Sequence, residues 1–277
     1  MFEPFSERAR AKVNLALHVL GRRTDGYHDL DSIVAFADVG DDLRFSPADE
    51  FSITASGPFA AQLPAAGENI ISRAYGKAGG IAAARGKVLP PVAVHLVKNL
   101  PVASGIGGGS ANAAAAMRGF LKVAGLEASD DEIMAAALSL GADVPVCLLG
   151  RACRMQGIGE RITVLEGFDP VDVLLVNPRV EVSTPAVFRQ LGVEKGTAFA
   201  EPIADPFDST KWRNDLMAPA VAIAPVIGDV LAWLRQVPGV AQARMSGSGA
   251  TCFGVLRESV KDLEPPGNWW CTSARLS

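Results

Sequence analysis

Between residues 92 and 124 an apolar run, a cluster of glycines and an alanine-rich segment follow one another, and this order constrains the fold more than any other feature. Val92–Val97 is nearly continuous in apolar character and bounded by Pro91 and Lys98, which predicts a buried strand. A loop follows, Asn99-Leu-Pro-Val-Ala-Ser-Gly-Ile-Gly-Gly-Gly109. A helix is expected from about Ser110 to Ala124, with Ala113, Met117, Phe120, Leu121 and Ala124 on one face. Arg118 and Lys122 sit near its C-terminal end, where the helix dipole favours cations, and Gly125 stops it. Strand, glycine loop and helix N-terminus in that order make an anion site, because free backbone N–H groups and the positive helix end point at the loop. Glycine permits φ > 0 and a close approach of the ligand. A nucleotide phosphate chain is the natural occupant. Taken alone, the segment also fits a tight glycine turn feeding an ordinary core helix.

Three familiar nucleotide signatures fail. The P-loop needs Gly-Lys-Ser/Thr, and Gly76-Lys77 and Gly86-Lys87 are followed by Ala78 and Val88. The dinucleotide fingerprint needs a third Gly or Ala; counted from Gly105 that position is Ser110, and from Gly107 it is Asn112. The protein-kinase signatures are absent. A net charge of −4, from 26 basic and 30 acidic residues, excludes nucleic-acid binding by bulk charge. The segment up to Arg10 carries charges and no apolar core, so it is not a secretory signal. The longest uncharged stretch, Asn99–Met117, holds too many Gly, Ser, Pro and Asn residues for a membrane span. The four cysteines form no CxxC and only three histidines exist, so no structural zinc site is expected. Reduced, partly buried thiols in a cytoplasmic protein are the expectation.

At 277 residues the chain suits one large domain or two small ones. Residues 8–19 alternate in polarity and predict a half-buried strand from which Lys12 and Asn14 project on one face. Asp25-Gly26 predicts a turn. Leu43–Ser46 and Phe51–Ala55 read as short strands. Asn69–Ala84 reads as a helix broken by Gly76 and Gly79-Gly80. Ser129 to Glu132 is a capping box opening a helix that Gly141 ends, with Asp143 just beyond. Val171–Val176 reads as a strand, 202–207 as a loop, and Val221–Leu234 as helical after Pro225. Arg244–Gly249 is a second glycine loop leading into a strand near Thr251–Leu256. The elements interleave without the regular beat of a doubly wound sheet.

The loop Pro101-Val-Ala-Ser-Gly-Ile-Gly-Gly-Gly-Ser-Ala-Asn112 resembles the second motif of the GHMP kinases, the galacto-, homoserine, mevalonate and phosphomevalonate kinase superfamily. Ala11-Lys-Val-Asn-Leu15 resembles the first motif and Met245-Ser-Gly-Ser-Gly-Ala-Thr251 the third. With Arg23-Thr-Asp-Gly-Tyr-His28 and Leu140-Gly-Ala-Asp-Val-Pro145, the chain is most similar to the branch acting on diphosphocytidyl methylerythritol in non-mevalonate isoprenoid biosynthesis. The resemblance implies ATP-dependent phosphorylation of that substrate's 2-hydroxyl. It also implies a two-lobed α+β fold: a ribosomal S5 domain 2-like N-terminal lobe over about 1–158 and a ferredoxin-like C-terminal lobe over about 159–277. The active site would lie in the cleft between them.

Residue roles follow from the same resemblance. Asp143 is the expected general base, since a carboxylate within reach of a hydroxyl can accept its proton. Lys12 is its expected partner, stabilising charge at the reacting phosphoryl group. Blind to the resemblance, both read as exposed charges. Pro101, Gly105, Gly107, Gly108, Gly109 and Ser110 are expected around the ATP phosphates, with Gly247 and Gly249 in a second loop. Asn69 and Lys98 match positions near the adenine. Mg²⁺ is expected with ATP, but the superfamily's metal-binding glutamate has no counterpart and no protein ligand is assigned. For the substrate, Tyr27 and Phe188 are expected on either face of the cytosine, His28 at its polar edge, and Asn14 and Thr184 at other polar groups. Without the resemblance, Phe188 reads as a core residue.

Overall fold

The computed structural model describes residues 2–63, 69–102, 104–127, 131–258, 260 and 263–277. The chain divides into two compact units, each assembled from several segments. The first comprises residues 1–11, 40–102 and 107–150; the second comprises 12–39, 103–106 and 151–277. Two long strands, β1 (Phe5–Arg22) and β2 (His28–Pro47), therefore contribute residues to both.

In the first unit, β2 pairs antiparallel with β4 (Val92–Val97), from Asp42 opposite Val97 to Pro47 opposite Val92. The strand β3 (Ser52–Ser56) runs parallel to β4 on its other side. Among the described residues four helices belong to this unit: α1 (Ile70–Ala84), α2 (Gly108–Val123), α3 (Asp131–Leu140) and α4 (Val144–Leu149). The helix α2 touches the other three and is buried on nearly every side, from Ala111 through Met117 to Leu121. It reaches the sheet through Phe120, whose ring meets Phe45 edge-on at 5.5 Å. Gly119 makes this contact possible, since a Cβ there would overlap the Phe45 ring. Phe51 and Tyr75, stacked at 4.0 Å, extend the aromatic cluster.

In the second unit β11 (Trp270–Leu276), β7 (Val171–Asn177), β10 (Cys252–Leu256) and β9 (Val240–Met245) form an antiparallel sheet in that order. Residues of β2 join it at Ala37, opposite Leu276. β2 also pairs with β5 (Cys153–Gly157), which pairs with β6 (Arg161–Val164). The helices α5 (Thr184–Leu191), α6 (Met217–Ile223) and α7 (Val226–Gln236) belong to the same unit. Ile227, Val230, Leu231 and Leu234 of α7 lie at helical spacing in a core with Leu174, Val176, Met245 and Cys252. A two-residue strand, β8 (Thr197–Ala198), pairs with the end of β1.

The expected α+β architecture is present, and several local expectations are corrected. The helix α1 runs unbroken through Gly76, Gly79 and Gly80. Each glycine costs about 1 kcal/mol in a helix, but these lie away from the buried stripe of Ile71, Ala74, Ala78, Ile81 and Ala82, whose packing decides the outcome. Strand β1 is longer than expected and buried on both faces between Ala11 and Val19, polar residues included. Leu43–Ser46 belongs to the 20-residue β2. The helix α2 begins at Gly108, two residues early. The capping-box residues Ser129 and Asp130 lie outside the described residues. Asp143 lies just past the end of α3, as expected, and also stands at the N-cap of α4, while α5, β5, β6, β9 and β11 carried no distinct expectation.

Candidate active site

The first unit presents the N-terminus of α2. Gly107 takes the N-cap position in the left-handed region, φ 65°, and offers no side-chain cap. By helix geometry the N–H groups of Gly108, Gly109 and Ser110 have no intrahelical acceptor. The space beside Gly109 is open. A Cβ on Gly108 would lie 3.5 Å from Lys98 Nζ and 3.8 Å from the Pro101 carbonyl. The Lys98 ammonium thus sits at the positive end of α2, an arrangement the dipole opposes unless an anion is shared. Its counter-charge is Asp41, 2.6 Å away and fully buried. Asp41 also accepts the N–H groups of Asn99 at 2.7 Å and Leu100 at 2.8 Å, fixing the chain that enters the glycine loop. Burial lowers the Lys98 pKa, against the attraction of Asp41. Open N–H groups, uncrowded glycines and a buried ammonium together fit a phosphate chain.

Asn69 has a local task, capping α1 by accepting the Ile71 N–H at 3.0 Å. Asp143 has αR backbone at the α4 N-cap, and its side chain does not cap that helix. The following Val144-Pro145 pair opens α4 with proline in its first turn.

The second unit gathers the remaining groups. Lys12 and Asn14 project from β1 two residues apart, exposed by only 4% and 1%. The Lys12 N–H donates to the Ile106 carbonyl at 3.0 Å. Asn14 is held at its N–H by Ser246 Oγ at 3.0 Å and at Nδ2 by Ser32 Oγ at 2.8 Å. Its Oδ1 is buried without a partner, an acceptor available to a ligand. Ser246 Oγ donates to the Gly105 carbonyl at 3.0 Å, so the two glycine loops meet. A Cβ on Gly105 would stand 2.5 Å from the Gly249 carbonyl, and only glycine allows this approach. Asn214 pins the second loop, its Nδ2 donating to the carbonyls of Met245 and Gly247, both at 2.8 Å. Thr184 Oγ1 and Ser248 Oγ are 2.7 Å apart.

The ring stacked on Phe188 is that of His28, with centroids 4.6 Å apart and planes at 26°. Tyr27, beside it, is 61% exposed. His28 Nε2 is buried without a partner. Burial, and then the positive charge of Arg22, lower the His28 pKa, so the ring is neutral at pH 7.

The expected set divides between the two units. Asn69, Lys98, Pro101, Gly107, Gly108, Gly109, Ser110 and Asp143 belong to the first unit; Lys12, Asn14, Tyr27, His28, Gly105, Thr184 and Phe188 belong to the second. Sequence reasoning missed Asp41, Arg22, Asn214, Ser246 and Ser248. The serines lie inside the third motif; the others had no local signal. The cysteines are free, and burial pushes Cys153 up to about 12 although the charge of Lys12 opposes this. Among the described residues no group of three or more His, Cys, Asp or Glu could hold a metal ion. None of their helices is long and apolar enough to cross a membrane.

The model of the GHMP kinases N terminal domain matches residues 69–151, and that of the GHMP kinases C terminal matches residues 208–264. A 4-diphosphocytidyl-2-C-methyl-D-erythritol kinase from Ruegeria pomeroyi is 47% identical, over 97% of this chain and 98% of the relative. One from Dinoroseobacter shibae is 46% identical, over 96% and 93%. A crystal structure of 4-(cytidine 5'-diphospho)-2C-methyl-D-erythritol kinase superposes with a TM-score of 0.77 at 29% identity, covering 98% of this chain and 99% of that one. The chain belongs to the 4-diphosphocytidyl-2-C-methyl-D-erythritol kinase family of the GHMP kinases.

Proposed function

We propose that the chain transfers the terminal phosphoryl group of ATP to the 2-hydroxyl of 4-diphosphocytidyl-2-C-methyl-D-erythritol, in the cytoplasm. The observation that carries the choice of substrate is the His28–Phe188 stack with its buried, unpartnered imidazole nitrogen. An aromatic face beside a fixed polar edge is what a pyrimidine requires, since bases gain from stacking and are told apart by hydrogen bonds.

The chain's own residues supply positioning and charge, which is most of what phosphoryl transfer asks of a protein. Gly105, Gly107, Gly108, Gly109 and Ser110 receive the ATP phosphates beside Lys98, with Pro101 shaping the loop and Asn69 near the adenine. Mg²⁺ arriving with ATP would screen the phosphate charge. Asp143 accepts the proton of the 2-hydroxyl, and Lys12 stabilises the charge that develops on the transferred group. Asn14 offers Oδ1 to a substrate hydroxyl, and Thr184 contacts a further polar group. Tyr27 covers the exposed face of the cytosine, opposite Phe188, while His28 reads its edge. In functional terms, residues 1–158 carry the nucleotide and catalytic groups, and 159–277 complete the substrate side.

The test is coupled ADP release with the cytidyl substrate, homoserine and mevalonate offered in parallel. Turnover with the cytidyl compound alone is expected. Turnover with either of the others and none with it would overturn the assignment.

A further inference from the structure

Arg22 stands at the end of β1, directly before the turn that leads through Tyr27 into His28, the first residue of β2. Among the described residues its guanidinium makes two hydrogen bonds, and both acceptors are neutral carbonyls. Nε donates to Gly26 O at 3.2 Å, and Nη1 donates to Val193 O at 3.3 Å. Gly26 lies in the turn immediately before Tyr27. Val193 follows the end of α5, the helix that carries Phe188. One planar side chain therefore spans two segments, each bearing one ring of the His28–Phe188 stack. The Arg22 backbone strengthens the tie, since its carbonyl accepts the Gly196 N–H at 2.7 Å and its Cα pairs with Thr197.

This use of arginine is unusual, because the guanidinium makes no ion pair among the described residues. Arg23, its neighbour, behaves ordinarily, pairing with Asp29 at 2.7 Å and Glu160 at 3.6 Å. What distinguishes Arg22 is the rigid fork, which fixes two acceptors at a set separation where a flexible ammonium cannot. We propose that Arg22 is a positioning residue for base recognition: it ties the Tyr27–His28 corner to the chain leaving the Phe188 helix, and so holds the stacked His28 and Phe188 rings in the place where they receive the pyrimidine. This rests on the reading of that stack as the base site. Arg22 needs no contact with substrate for the role.

The experiment compares wild type with Arg22→Ala and Arg22→Lys. Calorimetry measures binding of CDP and UDP, and steady-state assays measure KM for the cytidyl substrate, KM for ATP and kcat. Expected in both variants is a rise of about tenfold to a hundredfold in the CDP dissociation constant and in the cytidyl KM, the size of one lost hydrogen bond to a charged group. Discrimination between CDP and UDP should shrink, while kcat and the KM for ATP stay within about twofold. The lysine variant keeps the charge and the aliphatic stem, so it separates loss of the fork from loss of folding. Variants that bind CDP as wild type does, or whose KM for ATP rises equally, would overturn the positioning role alone. Wild type that binds neither nucleotide would overturn the base-site reading and the role of Arg22 with it.

Discussion

The Lys98 ammonium lies 2.6 Å from Asp41 Oδ2, and their side chains are exposed by only 3% and 0%. One buried carboxylate thereby balances the cation at the head of α2 and also holds the N–H groups of Asn99 and Leu100. Removing one member of a buried pair leaves the other uncompensated, at a cost of about 3–5 kcal/mol. Asp41→Asn should lose stability of that size and raise the KM for ATP. Denaturant midpoints and an ATP titration check both effects; an unchanged midpoint would mean that the pair contributes nothing.

Asn214 controls the second glycine loop through two bonds from one amide. Asn214→Ala leaves the carbonyls of Met245 and Gly247 without this donor, a loss of about 1–3 kcal/mol. Hydrogen exchange in residues 245–251 should accelerate, and the KM for the cytidyl substrate should rise. Exchange unaltered in that loop would count against the pinning role.

Two histidines give stability a defined acid limb. Burial, as the largest cause, holds both His18 and His28 below their ordinary value of 6.5. A lowered folded-state pKa means that the unfolded chain binds the proton first as pH falls. The stability each contributes is complete above about pH 6.5 and is lost as pH falls through the folded value. Urea midpoints should be flat from about pH 7 to 8 and decline below about 6, and His28→Asn should make that decline shallower. An unchanged slope would show that His28 titrates as it does in water.

The thiols set an opposite limb. Burial pushes Cys153 up to about 12 and Cys271 up to about 11, and Cys252 rises as well, from an ordinary value of 9.0. Raised folded-state values contribute stability that is complete below about pH 9 and is lost as pH rises through the folded values. At pH 8 an aromatic disulfide reagent should label native Cys153 and Cys252 only at the rate of unfolding. Rapid labelling of either without loss of structure would contradict their burial.

Much of the nucleotide-binding segment was legible because glycine has few substitutes. Close approaches such as Gly105 to the Gly249 carbonyl impose a residue type at a fixed place, and that leaves a readable pattern. The alternation in β1 was also legible, but its environment was not: Lys12 read as an exposed charge and is buried, as is Asn14 on the same face. Polar character predicts exposure only while no partner is supplied from elsewhere, and Ser246 is 232 residues from the Asn14 it holds. The same distance in sequence hid Asp41, 57 residues from Lys98, and Arg22, 171 residues from Val193. The unbroken α1 and the six-residue α4 were missed for a different reason: tertiary packing decided both against a weak local preference.

The central claim is that Asp143 acts as base in transfer of a phosphoryl group to the cytidyl substrate. Steady-state ADP release with that substrate, in wild type and in Asp143→Ala of equal thermal midpoint, tests it most directly. The predicted result is turnover by wild type and a fall in kcat of about 10²–10⁴ in the variant, the usual contribution of a general base. Equal turnover by the two proteins would contradict it.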